Sequence, residues 1–233
     1  MNREPLARRL FSLAGVFPLG LFLLEHFATN ASALAGAATF GRVVRRILTL
    51  PGVLAVEVLG IWIPLAFHAG YGLYFVARRL PFREPSPYSP RMRAVLRGAG
   101  VVALVYVLFH LYEYRFGAAG LGERGELLYS RLAERLSSLT WGIPWRACGY
   151  VLGIGAVVLH FVGGLWGYLV GGGIVRSENG PRRAAWALTA LGAVMFAVAV
   201  SLVVSFATGA HPFFVPIDRG PNATTPCPSP PLK

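Results

Sequence analysis

Four histidines, His26, His68, His110 and His160, each fall inside a long apolar run, and only His211 lies outside one. An ionisable side chain inside a membrane is costly and tends to mark function. A single buried histidine in a helix bundle is usually structural, bonded to a neighbouring carbonyl. Four of them, one in each of four runs, point instead to ligation of a cofactor metal. Zinc or copper would more often bring carboxylates or thiols beside the imidazoles, and none cluster here. Cys148 and Cys227 stand apart from each other, and no C-x-x-C-H occurs, which excludes covalent c-type haem.

The elements that must position these histidines follow from composition. The 233 residues are 55% hydrophobic and 14% charged, with a mean hydropathy of +0.57; a soluble domain carries roughly 25% charged residues. A hydrocarbon core of about 30 Å takes some 20 helical residues to cross. Five runs are long enough, at about Leu10–Ala28, Pro51–Ala77, Gly98–Arg115, Ala147–Val175 and Ala184–Thr208. Backbone groups in lipid find no water, so each must be helical. The expected fold is an all-α integral membrane bundle over residues 1–208, followed by a proline-rich, poorly ordered tail over 209–233. Pro18 and Pro64 should kink their helices without breaking them.

The net charge of +12 would suggest nucleic acid in a soluble protein. Here the arginines flank the apolar runs and read as topology signals, so no nucleic-acid partner is expected. The N-terminal arginines Arg3, Arg8 and Arg9 precede a run that shows no cleavage site, so a cleaved signal peptide is not expected. With Arg78, Arg79, Arg83, Arg91, Arg93 and Arg97 of the second loop and Arg176, Arg182 and Arg183 of the fourth, they make a thin majority of the 22 basic residues on one side. Acidic Glu113, Glu123, Glu126 and Glu134 dilute the long third connection. The expected topology is N-terminus inside, C-terminus outside. Within that connection Leu128, Leu132, Leu136 and Leu139 recur at helical spacing, which suits an amphipathic helix on the outer surface or an ordinary solvated one. The Asn222-Ala223-Thr224 sequon carries no weight without a glycosylating compartment.

Depth sorts the histidines. In this topology His26 and His110 lie near the outer ends of two outward-running helices. His68 and His160 lie at or past the midpoints of two inward-running ones. Two pairs at two levels is the arrangement for two stacked bis-histidine b haems in one bundle. Gly149, Gly153, Gly164 and Gly167 share the His160 face of their helix, Gly72 follows His68 by one turn, and Gly15 precedes His26 by three turns. Small residues beside a ligand leave room for a porphyrin, although glycine also serves close helix packing. Arg8, Arg9 and Ser12 are candidates to meet haem propionates, and equally suit positive-inside anchors. Glu57 lies three turns before His68 and near the outer level, where a carboxyl could exchange protons with a quinone or merely cap a polar network.

These residues resemble a known family, the di-haem cytochrome b membrane subunit of succinate:quinone oxidoreductases, in its single-polypeptide, five-helix form. The resemblance rests on RRLFSLAGVFPLGLFLLEHF (Arg8–Phe27), IPLAFHAGYGLYF (Ile63–Phe75), LFHLYEYRF (Leu108–Phe116) and LHFVGGLWGY (Leu159–Tyr168), each with one of the four histidines. It implies axial ligation of a distal haem b by His26 with His110 and of a proximal haem b by His68 with His160. It implies a flavoprotein (FAD) subunit and an iron–sulfur subunit docked on the inner face of a bacterial cytoplasmic membrane. Succinate or fumarate chemistry would occur in the flavoprotein, and electrons would reach a quinone, menaquinone by the resemblance, through the haems. A higher oligomer of the complex is compatible with this reading. Two departures stand out: some relatives carry a histidine where Phe11 stands, and the tail with His211 is outside the pattern.

Rival readings are a cytochrome b of another respiratory complex, of hydrogenase or formate dehydrogenase type, and a non-haem transporter. The first fits the motifs and the helix number less well. Against the second, there is no inverted repeat and no pair of broken helices.

Overall fold

The computed structural model describes residues 4–78, 86–116 and 125–209. Arg3, Arg79, Arg83, Glu123 and Arg124 lie outside these residues, as does the tail with His211, Asn222 and Cys227. Helices are α1 (Glu4–Val16), α2 (Pro18–Ala31), α3 (Ala37–Leu48), α4 (Val53–Glu57), α5 (Ile63–Ala77), α6 (Pro90–Leu111), α7 (Gly125–Ser137), α8 (Trp145–Gly171) and α9 (Gly180–Thr208). The described residues form an all-α bundle with five segments long and apolar enough to span a membrane: Leu6–Ala35, Val53–Ala77, Pro90–Phe116, Trp145–Gly171 and Gly180–Thr208.

The first span is two helices in line. Pro18 lacks an N–H and opens α2, yet Phe17 N–H still donates to Leu13 and Leu21 N–H to Phe17, so the ladder runs on through the bend. The second span joins α4 to α5 through a π-helical turn, Val58–Trp62, directly before Pro64. The third begins a full two turns before the apolar run predicted from Gly98, because Ser89 caps α6 by accepting from Met92 N–H and Pro90 takes the first helical position. It ends in a second π-helical turn, Tyr112–Phe116. Tyr88, just ahead of the cap, donates its hydroxyl to the Gly163 carbonyl of α8 and packs on Trp166 with ring centres 5.0 Å apart. Burial pushes that hydroxyl up to about 12, so it stays a donor through the neutral range.

α8 lies between α6 and α9, and α1 lies against α5 and α8. The bundle end that holds the α2, α6 and α9 C-termini is covered by α3 and α7, which pack on each other, while α7 also packs on α9. α7 is the amphipathic helix expected in the third connection. Its Leu132 joins Ala33, Phe40 and Leu202 in one core cluster; Leu136, 2% exposed, joins Ala147, Tyr150 and Val203 in another. Leu139 falls beyond the helix and is 64% exposed, outside the stripe it was expected to continue. α3 was not foreseen, although Phe40, Val44 and Ile47 share a face opposite Arg42, Arg45 and Arg46.

Candidate functional site

All five spans contribute to the wall of a cavity of about 2090 Å³, and four of them supply one histidine each to its lining: His26, His68, His110 and His160. The histidine rings meet in twos. His26 and His110 have ring centres 5.8 Å apart at 84°; His68 and His160 have ring centres 6.1 Å apart at 72°. The first pair sits toward the end covered by α3 and α7, the second toward the opposite end. Among the described residues no group of three or more His, Cys, Asp or Glu side chains gathers into a metal site.

This spacing suits a metal held between two imidazoles. A metal–nitrogen bond of about 2 Å on each side, with each ring centre about 1 Å behind its nitrogen, separates the centres by about 6 Å. Ring orientation is fixed from behind. His68 Nδ1 lies 3.0 Å from the Phe11 carbonyl and His160 Nδ1 3.2 Å from the Leu96 carbonyl. A carbonyl only accepts, so both Nδ1 atoms carry the proton and both Nε2 lone pairs are free for a metal. His110 Nδ1 meets the Tyr150 hydroxyl at 3.4 Å. The donor set and the cavity therefore fit bis-histidine haem.

The glycines divide by function. A Cβ on Gly15 would collide with the His68 ring, and one on Gly100 would come within 2.8 Å of His160 Cε1. Both give a histidine room to turn, so Gly15, read from sequence as a neighbour of His26, serves His68. Gly100 had no sequence signal, since it precedes the histidine of its own helix by ten residues and serves one on another helix. Gly164 lines the cavity with open space at its Cβ position. Gly153 is buried against the Tyr106 ring and is absent from the cavity wall; its hydrogen allows α6 and α8 to approach. Phe11 lies parallel to the His68 ring with centres 4.4 Å apart, so the side chain at that position packs on the histidine that its own carbonyl orients.

Arg8, Arg9 and Ser12 line the cavity. The Arg8 guanidinium carbon lies 5.0 Å from the Phe75 ring centre, and Ser12 donates to the Arg8 carbonyl. Glu57 lines the same cavity at the other end. It pairs with Arg115 at 2.7 Å and accepts from Trp62 Nε1 at 3.2 Å, and Trp62 packs on Phe116 with ring centres 5.6 Å apart. The two π-helical turns thus face each other across the cavity wall. A π turn takes up an extra residue and re-aims the side chains around it.

Glu113 was counted with the third connection, but it lies within the third span and is 4% exposed. It holds Arg135 of α7 at 3.0 Å, Arg146 of α8, and the Tyr150 hydroxyl at 3.0 Å. Its position three residues after His110 was a usable signal, since that spacing puts the two on one helix face.

The chain is 34% identical over 182 residues to the succinate dehydrogenase cytochrome b558 subunit of Bacillus subtilis (strain 168), covering 78% of this chain and 86% of that protein. No family model matches the chain. No solved structure matches it either.

Proposed function

We propose that this chain, which belongs to the family of succinate dehydrogenase cytochrome b subunits, holds two b-type haems, one between His26 and His110 and one between His68 and His160. The protein is the membrane anchor and electron-transfer subunit of its complex. The observation that carries the haem reading is the meeting of four intramembrane histidines in two pairs, with ring centres 5.8 and 6.1 Å apart, at two levels of one cavity.

A haem iron between two imidazoles supplies reversible one-electron transfer. The chain's own part is to hold and insulate. His68 and His160 present Nε2 because backbone carbonyls fix their Nδ1 protons, and Gly15 and Gly100 leave their rings space. Apolar side chains of the spans keep the interior dry. Arg8, Arg9 and Ser12, at the cavity's far end from α3, suit haem propionates.

The partners are a flavoprotein, which performs the dicarboxylate chemistry, and an iron–sulfur protein. Both dock on the cytoplasmic face at the end near His68 and His160, with the N-terminus on that side and the C-terminus outside, in a bacterial cytoplasmic membrane. The electron acceptor is a membrane quinone, menaquinone by family likeness. Its site lies beside Glu57, whose carboxylate is held by Arg115 and Trp62 at the level of His26 and His110 and can relay a proton to or from a quinone oxygen. The deciding experiment adds succinate to the assembled complex and follows haem reduction and quinone reduction together. Haem that reduces with succinate supports this function; haem-free, folded chain in an active complex would end it.

A further inference from the structure

Glu113 is the one charged side chain buried among the described residues, and its partners lead back to a histidine. Its Oε1 faces Arg135 and Arg146, and its Oε2 accepts the Tyr150 hydroxyl proton at 3.0 Å. Tyrosine has a single hydroxyl proton. With that proton given to Glu113, the Tyr150 oxygen can only accept from His110 Nδ1, 3.4 Å away. The result is a directed chain in which His110 Nδ1–H donates to Tyr150 and Tyr150 donates to Glu113. His68 and His160 end instead on neutral backbone carbonyls.

We propose that Tyr150, polarised by Glu113, is the positioning residue of His110. The chain fixes the Nδ1–H tautomer, leaves Nε2 free on the side of His26, and lends negative charge to the imidazole. A ligating histidine whose outer nitrogen donates toward a carboxylate is the more basic ligand. A more basic ligand favours ferric over ferrous iron, so the chain lowers the potential of the metal held by His26 and His110. Arg135 and Arg146 draw the carboxylate's second oxygen away and tie the arrangement to α7 and to the start of α8. This inference rests on the proposed haem ligation.

Tyr150→Phe removes the hydroxyl and keeps the ring that packs edge-on to Tyr106, with ring centres 5.3 Å apart. The experiment is a spectroscopic redox titration of the complex carrying Tyr150→Phe, compared with the parent and repeated in the His68→Ala background. The expected result is two haems retained, with one midpoint potential raised and the other unmoved. The haem that moves should be the one that survives His68→Ala. Glu113→Gln should move the same haem in the same direction, which keeps the test open if Tyr150→Phe does not fold. Unchanged potentials, equal shifts of both haems, or a shift of the haem that His68→Ala removes would overturn the proposal. A parent protein without two haems would instead refute the ligation on which it rests.

Discussion

Glu57 Oε1 lies 2.7 Å from Arg115 Nη2, and this pair joins the starts and ends of two spans at the places where each departs from α-helical winding. Both side chains are about a quarter exposed, at 25% and 30%, so the pair stands at the cavity margin and not in its interior. Trp62 donates to the same carboxylate oxygen and covers it with an indole that packs on Phe116. A carboxylate that is anchored but still reachable is suited to proton exchange with a bound molecule.

Glu57→Gln keeps the shape and removes the proton-exchanging group. Quinone reduction should fall by roughly 10²-fold, within the range for loss of a general acid–base group, while both haems stay bound. Steady-state turnover with a soluble quinone, beside a haem spectrum, checks this. Unchanged turnover removes Glu57 from the quinone site.

Each histidine should answer for its own pair. His68→Ala and His160→Ala should each cost the same haem, and His26→Ala and His110→Ala the other. Haem quantitation with redox titration separates the two. A His26→Ala protein that lost the haem lost in His68→Ala would refute the pairing by ring distance.

Gly15→Ala and Gly100→Ala test the space behind the ligands. Either methyl would meet a ring of the His68–His160 pair, and overpacking of this kind costs about 1–3 kcal/mol. Both variants should weaken retention of the haem lost in His68→Ala and spare the other. Haem content after prolonged detergent washing is the readout, and equal loss of both haems would contradict the assignment.

The α7 cap has its own signature. Leu136→Ala opens a cavity where the side chain is 2% exposed and should destabilise by about 2–5 kcal/mol. Leu139→Ala, at a residue 64% exposed beyond the helix, should change stability by less than about 0.5 kcal/mol. Thermal unfolding of the two proteins in detergent compares them directly.

The spans were legible because lipid leaves the backbone one solution, and the apolar runs report it. Their ends were less so: Pro90–Arg97 is helical although it is basic, since Ser89 and Pro90 start a helix that hydropathy does not register. α3 escaped a search tuned to runs of about 20 apolar residues, yet its alternation of Phe40, Val44 and Ile47 with arginines was there to read. The π-helical turns were not legible, because the contacts that settle them, Glu57 with Arg115 and Trp62 with Phe116, join residues more than 50 positions apart. The four histidines stood out by type and depth. Their support did not: the carbonyls of Phe11 and Leu96 and the hydrogen of Gly100 are backbone features with no side-chain signal. Nor did the sequence mark what Gly153 meets: on the helix face it shares with His160 it lies against the ring of Tyr106, on another helix.

The most direct test of the central claim is a reduced-minus-oxidised spectrum with haem quantitation on the purified chain. Two haems b per polypeptide, partly reduced by succinate once the soluble partners are added, is the predicted result. A folded chain that binds no haem would contradict it and leave the four histidines without their assigned chemistry.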